Sequence, residues 1–274
     1  SGARCVALGN TRLSIIDTSP AGHMPMRDPA TGNWIAYNGE VYNFLDIRRE
    51  LEALGEPFQS DTDTEVILKA YGRWGGECVH RLRGMFAFAV WDARRQELFL
   101  ARDRVGKKPL YYNQNSAGFL FASEVRALLA TGLIERRLDG ATLQVYLFNG
   151  FTVAPRTMIE GIRSLLPGHW LRVSADGHSI EMRRYWKLDR RGDGNFDLDE
   201  IRARLQEAVT LRLVSDVPLG AFLSGGLDSS TVVALMARSG QDVRTFSITF
   251  DEAEYDESKF SNQVAQRFQT THTE

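Results

Sequence analysis

The sequence predicts a mixed α and β domain built on antiparallel pairs, followed by the beginning of a doubly wound α/β sheet. Three observations carry this. Between Gly84 and Tyr185, short apolar runs alternate with polar connections, the pattern of successive hairpins. Residues 187–195 are charged, glycine-dotted and aperiodic, as a linker is, so residues 1–190 read as the first domain and residues 191–274 as the second. Beyond Val217 the order becomes strand, glycine turn, helix, strand and helix, the alternation of a parallel sheet. A chain of 274 residues, 43% apolar, is long enough for two ordinary domains.

In the first domain, residues 6–8, 12–17 and 34–37 read as strands, with Asn38-Gly39 as a turn that accepts positive φ. Asn43 is placed to cap a helix over residues 44–54 whose Phe44, Ile47, Leu51 and Leu54 share a face, with Gly55 past its end. A second helix, about residues 64–74, sets Val66, Ile67, Ala70, Tyr71 and Trp74 at helical spacing behind Asp63. Residues 85–91 pair with 97–101 and residues 110–113 with 118–122 as two hairpins, and residues 170–173 with 180–185 as a further pair. Residues 102–109 read as a solvated hairpin connection held by ion pairs.

In the second domain, Asp197 or Asp199 starts a helix through Leu213 that turns Ile201, Leu205, Ala208, Val209 and Leu213 inward. A strand over residues 243–250, a helix over about 258–268 and the start of another strand at 270–274 follow. Two or three strands cannot bury both faces of a parallel sheet, so this domain is expected to continue beyond Glu274.

Composition excludes several functions. A formal net charge of −2 gives no pull toward nucleic acid or an anionic membrane. The longest apolar run, residues 85–91, is too short to cross a bilayer, and the chain reads as cytoplasmic. Cys5 and Cys78 lie far apart and are expected to be free thiols. His23, His80, His169, His178 and His272 form no i, i+4 pair, so zinc is not expected.

The most informative stretch is residues 217–233. An apolar strand enters Ser224-Gly225-Gly226, and Val232, Val233, Leu235 and Met236 continue as a helix. A helix start offers unpaired N–H groups and the positive end of the dipole, and two glycines let the main chain approach a ligand. Ser224, Ser229 and Ser230 add hydroxyls, so the turn reads as a phosphate site. Asp228 would repel phosphates unless a cation intervened, and Mg2+ suits that place. No lysine follows Gly226, which excludes the Walker loop. The residues resemble instead the Ser-Gly-Gly-x-Asp-Ser signature of the ATP pyrophosphatases, which implies cleavage of ATP between its α and β phosphates.

A second polar set lies in the first domain: Arg12 and its neighbours, Asn38-Gly39-Glu40, and Asp63. Singly these read as a surface strand residue, a turn and a helix cap. Together they offer a guanidinium, a carboxylate and an amide-rich turn, which suit the carboxylate and ammonium of a free amino acid.

The ordered motifs Arg-Leu-Ser-Ile (from Arg12), Asn-Gly-Glu-x-Tyr-Asn (from Asn38), Asp-x-Glu-Val-Ile (from Asp63), Gly-Met-Phe-Ala-Phe-Ala (from Gly84), Ala-Arg-Asp-Arg-x-Gly-x-Lys-Pro-Leu-Tyr-Tyr (from Ala101) and Ala-Ser-Glu (from Ala122) resemble the glutaminase domain of glutamine-hydrolysing asparagine synthetases. Leu-Pro-Gly-His and Ser-Asp-Val-Pro-x-Gly-x-x-Leu-Ser-Gly-Gly-Leu-Asp-Ser-Ser extend the likeness over nearly the whole chain. The resemblance implies an αββα N-terminal-nucleophile sandwich (class II glutamine amidotransferase) joined to an α/β ATP-pyrophosphatase domain. It implies glutamine contacts at Arg12, Leu13, Ser14, Ile15, Ile16, Asn38, Gly39, Glu40 and Asp63. It implies ATP contacts at Phe222, Leu223, Ser224, Gly225, Gly226, Asp228, Ser229, Ser230 and Ile248, with Mg2+ on Asp228. The substrates implied are glutamine, aspartate and ATP, with the acceptor acid and a homodimer left open. Ammonia from glutamine would pass through an internal channel to an aspartate activated as β-aspartyl-AMP.

The family's nucleophile is an N-terminal cysteine, and neither Ser1 nor the internal Cys5 matches it. Gly9-Asn10-Thr11 also departs from the family pattern before Arg12. The expectation is a fragment of a longer enzyme, inactive by itself. Two alternatives stay open, an amidotransferase acting on another acid and a non-catalytic ligand-binding module.

Overall fold

The computed structural model describes residues 6–189, 197–240, 242–252 and 254–274. They fall into two compact units, Ser1–Asp189 and Arg190–Glu274. The first runs β1 (Met26–Arg27), β2 (Trp34–Val41), α1 (Phe44–Ala53), α2 (Asp63–Trp74), β3 (Gly84–Asp92), β4 (Glu97–Arg102), β5 (Tyr111–Asn115), β6 (Gly118–Ala122), α3 (Val125–Ala130), α4 (Gly140–Asn149), β7 (Arg163–Ser164), β8 (His169–Ser174) and β9 (Ile180–Arg184).

Two antiparallel sheets result, one in the order β1-β2-β3-β4-β8-β9 and one in the order β6-β5-β7. The period of two along β3 sorts its side chains between two cores. Phe86, Phe88 and Val90 face Phe44, Ile47 and Leu51 of α1 and Val66, Ile67, Ala70 and Tyr71 of α2. Ala87 and Ala89 face the other way and, with Leu98, Leu100, Leu171 and Val173, pack on Tyr112 and Phe121 of the second sheet and on Leu110 just before it. On that sheet's far side, Tyr111, Leu120 and Ala122 meet Val125, Leu128 and Leu129 of α3. The layers are therefore α, β, β and α, as the resemblance implied.

Both hairpins and the β8–β9 pair form where the alternation places them. Four local expectations fail. Residues 6–8 and 12–17 form no strand; the segment 12–19 instead folds back onto the Arg12 side chain, with Asp17 at φ +51°. Asn38-Gly39 is not a turn but the middle of β2, paired with Ala87 and Phe86 of β3. Gly39 is required there because a Cβ would overlap the Met85 carbonyl oxygen and sit 2.7 Å from Phe86 Cα. Asn43 makes no cap bond to α1; its Nδ2 donates to Arg81 O (3.0 Å) and its Oδ1 accepts from Arg83 N (2.8 Å), tying the helix start to the segment before β3. The connection after β4 is held by hydrogen bonds from main-chain N–H groups to the Asp103 carboxylate and from the Arg102 guanidinium to main-chain carbonyls, as set out below.

The second unit runs α5 (Leu198–Thr210), β10 (Gly220–Phe222), α6 (Leu227–Arg238), β11 (Arg244–Phe246), α7 (Ser258–Phe268) and β12 (Thr271–Thr273). Its three strands are parallel in the order β10-β11-β12, each pair joined through a helix. Leu223, Val233 and Ala265 form its core. Asp197 caps α5, accepting from Asp199 N (2.9 Å) and Glu200 N (3.2 Å). Contrary to expectation, Ile201 and Leu205 are 42% and 46% exposed, because α5 meets α6 through Gln206, whose Nε2 donates to Leu235 O and Ser239 Oγ (both 3.1 Å). β11 ends at Phe246 rather than Phe250, since its three-residue neighbours supply three rungs. Part of the expected linker, residues 190–195, lies outside the described residues, as does Cys5; Cys78 is a buried free thiol. Burial pushes its pKa up to about 12. No described helix is long and apolar enough to cross a membrane.

Candidate functional site

The first unit holds a cavity of about 140 Å³ that gathers eight of the nine residues the sequence singled out there: Arg12, Leu13, Ile15, Ile16, Asn38, Gly39, Glu40 and Asp63. Ser14 lies outside its lining. The pieces arrive from three places in the chain, the 12–16 segment, the middle of β2 and the first turn of α2.

Asp63 is available because it is not the cap. Thr62 takes that role, its hydroxyl accepting from Glu65 N at 3.1 Å, so the Asp63 carboxylate turns toward β2. Its Oδ2 accepts from Tyr37 Oη (2.8 Å) and Val41 N (2.9 Å). Only 6% exposed, Asp63 has its pKa raised above the usual carboxylate value by burial, which these donors oppose without cancelling. Tyr37 is held well above its ordinary value by burial and by the neighbouring Asp63 charge, so its phenol remains a donor. A carboxylate so placed gains from a cation, and an ammonium supplies charge and hydrogen bonds together.

Arg12 does not lie open to the cavity as a fork. Its Nη2 donates to Ile16 O (2.8 Å) and Asp17 O (2.6 Å), and its Nη1 to Ser19 O (3.4 Å). It rests on Gly22, where a Cβ would overlap the guanidinium. Arg12 thus shapes the cavity wall. Asn38 reaches Ser123 Oγ through its Nδ2 (3.3 Å), joining β2 to the Ala-Ser-Glu segment.

Lys108 also lines the cavity, from the connection that sequence reasoning set aside. Asp103, fully buried, accepts from the N–H groups of Phe86 (3.2 Å), Val105 (3.2 Å), Lys107 (2.9 Å) and Lys108 (2.9 Å). Arg102 Nε closes the turn by donating to Lys108 O (2.7 Å), and burial lowers the Arg102 pKa. The only signal in the sequence was the charge density of the segment, which a solvated loop also has.

In the second unit, the turn between β10 and α6 leads into a helix start with no side-chain cap. Gly226 is the N-cap and brings no side-chain acceptor to the first-turn N–H groups. Gly225 sits at φ +81°, and a Cβ there would overlap Phe260 Cβ of α7. Ser224 Oγ accepts from Gly226 N (3.3 Å) and bonds Ser229 Oγ (3.0 Å), so the two hydroxyls hold each other. Ser230 Oγ is buried with no hydrogen-bond partner among the described residues. Asp228 is exposed on the first turn. A neighbouring cleft of about 360 Å³ takes in Phe222, Leu223, Ser224, Ser229 and Ile248, but not Gly225, Gly226, Asp228 or Ser230. It also adds Phe246, Phe250, Tyr255 and Glu257, which the sequence reading missed because they lie in and after the short β11.

Comparison with known proteins decides the family. Residues 2–186 match the family model described as a glutamine amidotransferase domain, and residues 200–274 match the one described as asparagine synthase. The chain belongs to the glutamine amidotransferase family. The chain is 39% identical over 292 residues to asparagine synthetase [glutamine-hydrolyzing] 3 of Bacillus subtilis, covering 99% of this chain and 47% of that protein. It is 37% identical to the putative asparagine synthetase [glutamine-hydrolyzing] 2 of Methanocaldococcus jannaschii, covering 97% and 55%. It is 34% identical to a Penicillium rubens protein named amidase chyE, covering 95% and 41%. The chain therefore spans about half the length of the curated relatives it matches. Its residues 1–5, where the resemblance directs attention for a nucleophile, lie outside the described residues.

Proposed function

We propose that this protein takes nitrogen from glutamine and, driven by ATP, amidates aspartate to asparagine. The observation that carries the reading is the convergence of Asp63, Arg12 and Asn38-Gly39-Glu40 on one cavity from three separate segments. Asp63 holds the α-ammonium of glutamine. Asn38 and Gly39, fixed by the β2–β3 ladder, lie where an oxyanion formed at the side-chain amide would be stabilised. Glutamine is hydrolysed there to glutamate and ammonia.

In the second unit the Ser224–Ser230 turn holds the phosphates of ATP, with Phe222 and Ile248 in the adjacent cleft. Aspartate's side-chain carboxylate attacks the α phosphate and pyrophosphate leaves, giving β-aspartyl-AMP. Ammonia then displaces AMP, leaving asparagine. The first turn of α6 offers one carboxylate, Asp228, beside the uncapped helix start, a donor set that suits an ion shared with phosphate oxygens. Asp228 would hold Mg2+ in that way, and the ion when bound would offset phosphate charge during attack.

The names of the amidase relatives support a second reading in which the acceptor is another carboxylic acid. The test is product analysis with glutamine, ATP and aspartate. Formation of AMP, pyrophosphate, glutamate and asparagine supports the first reading. No AMP with aspartate, but AMP, pyrophosphate and an amide with another carboxylic acid, supports the second, and ADP with inorganic phosphate rejects both.

A further inference from the structure

We propose that a second cleft in the first unit, at the opposite end of α2 from Asp63, binds a small phosphate-bearing anion. The cleft measures about 570 Å³. It lies where two hairpin loops, residues 28–33 between β1 and β2 and residues 93–96 between β3 and β4, meet the last turn of α2.

The loops are fixed to each other and to the helix. Asn33 Oδ1 accepts from Ala93 N at 3.0 Å, which joins the two loops. Within the first, Asp28 N donates to Asn33 O (2.9 Å) and Gly32 N to Asp28 O (2.8 Å). The Asp28 carboxylate accepts from Thr31 Oγ1 (2.6 Å) and from Lys69 Nζ of α2 (2.7 Å). Within the second, Asp92 Oδ1 accepts from Arg94 N (3.0 Å) and Arg95 N (2.9 Å), and its Oδ2 from Tyr71 Oη of α2 (3.2 Å).

The groups this frame leaves unengaged are donors. Asn33 lines the cleft and is only 4% exposed. Its Oδ1 is committed to Ala93, so the orientation of the amide is set, and among the described residues its Nδ2 meets no acceptor. An N–H pair held in that way gains from an acceptor supplied by a ligand. The Arg73 and Arg94 guanidiniums line the same cleft and, among the described residues, enter no hydrogen bond or ion pair. Arg95 is loosely paired, its Nε 4.0 Å from Asp92 and its Nη1 3.5 Å from Glu97. Glu97 lies outside the lining and is shared with Arg172 at 3.1 Å.

Opposing charge is small. Asp92, the carboxylate of the lining, is 7% exposed and already serves the donors of Arg94, Arg95 and Tyr71. The negative end of the α2 dipole is offset by Arg73 in its last turn. Three guanidiniums and an amide therefore select a ligand that only accepts hydrogen bonds and carries more than one negative charge. Phosphate suits the set better than carboxylate. Its tetrahedral oxygens point in several directions and so meet donors from three segments at once, whereas a carboxylate offers two oxygens in one plane. The volume leaves room for a diphosphate or a phosphate ester.

The test titrates the ¹⁵N-labelled full chain with inorganic pyrophosphate in EDTA at constant ionic strength, with citrate as the carboxylate control. Pyrophosphate should shift the Asn33 side-chain amide pair in a saturable way. The double variant Arg73→Gln with Arg94→Gln should weaken that affinity at least tenfold, with the thermal midpoint unchanged because neither side chain bonds within the fold. Asn33→Asp keeps the acceptor for Ala93 N but puts a charged oxygen in place of the donor, and should abolish the shifts of the Ala93 and Arg94 main-chain amides. Pyrophosphate that leaves the Asn33 pair unmoved, including pyrophosphate that shifts only the Ser224–Ser230 turn, overturns the proposal. Affinity that survives the double arginine variant also overturns it, and citrate binding as tightly as pyrophosphate overturns the choice of phosphate.

Discussion

The Tyr37 hydroxyl donates to Asp63 Oδ2 at 2.8 Å, joining the middle of β2 to the first residue of α2 inside the first-unit cavity. This bond fixes a carboxylate whose burial disfavours its charged form. Because the Asp63 pKa is raised in the fold, the group favours folding below its unfolded pKa, and that contribution is lost as pH rises through the raised value. Asp63→Asn should therefore gain stability over the wild type as pH rises above the unfolded carboxylate pKa, by about 1.4 kcal/mol for each tenfold tightening of the proton. Urea unfolding across that range checks the slope, and a difference that shrinks with rising pH refutes it. Removing the phenol donor in Tyr37→Phe should cost about 1–2 kcal/mol and raise the Asp63 pKa further, which carboxyl NMR titration would read.

Gly39→Ala should destabilise the first unit by about 3 kcal/mol, because its Cβ meets main-chain atoms of Met85 and Phe86 that no rotamer change can move. A fall in the denaturant midpoint at unchanged slope is the expected readout. A neutral result would mean that β2 and β3 separate at this point in solution.

The Lys69 ammonium lies 2.7 Å from Asp28 Oδ1, with both side chains almost fully buried. Burial raises the Asp28 pKa, but hydrogen bonds from Lys69 and Thr31 and the Lys69 charge outweigh it, and the net shift is downward. Its contribution to stability is thus present above the unfolded carboxylate pKa and lost as pH falls through the depressed value. Lys69→Met strands the carboxylate and should cost about 3–5 kcal/mol at pH 7. The deficit should narrow toward pH 3, where a neutral Asp28 no longer needs the ammonium; guanidinium melts at the two pH values decide it.

Asp228→Ala should lower ATP affinity at least tenfold in the presence of Mg2+ and change it little in EDTA. Being exposed on the first turn of α6, the residue should alter stability by less than about 0.5 kcal/mol. Fluorescent-nucleotide titration with and without the metal tests both statements. Equal affinities for the variant and the parent in Mg2+ would reject the role given to this carboxylate.

The hairpins, the helices around Ile47 and Ile67, and the β10–α6 turn were legible because their signals are local. Alternating side chains and a glycine pair before a helix mean much the same in most contexts. Asn38-Gly39 was not legible, because its strong local turn tendency was overridden by the β2–β3 ladder that runs through it. Asn43 has a cap's chemistry but bonds Arg81 and Arg83, residues far along the chain. Lys108 looked like one more surface charge until Asp103 was found buried beneath its turn.

The sequence by itself determined the hairpins, the glycine turn before α6 and most of the residues that meet in the first-unit cavity, since these follow from periodicity and residue chemistry, while the layer order came from the family resemblance. Only the tertiary structure decided which partners each of them meets. Arg12 donates to nearby carbonyls, Asp63 turns toward β2 because Thr62 caps α2, and the main chain of Lys108 is fixed by Asp103 and Arg102. A hydrogen-bonding group has a limited number of partners, and which partners come within 3 Å is settled by long-range packing.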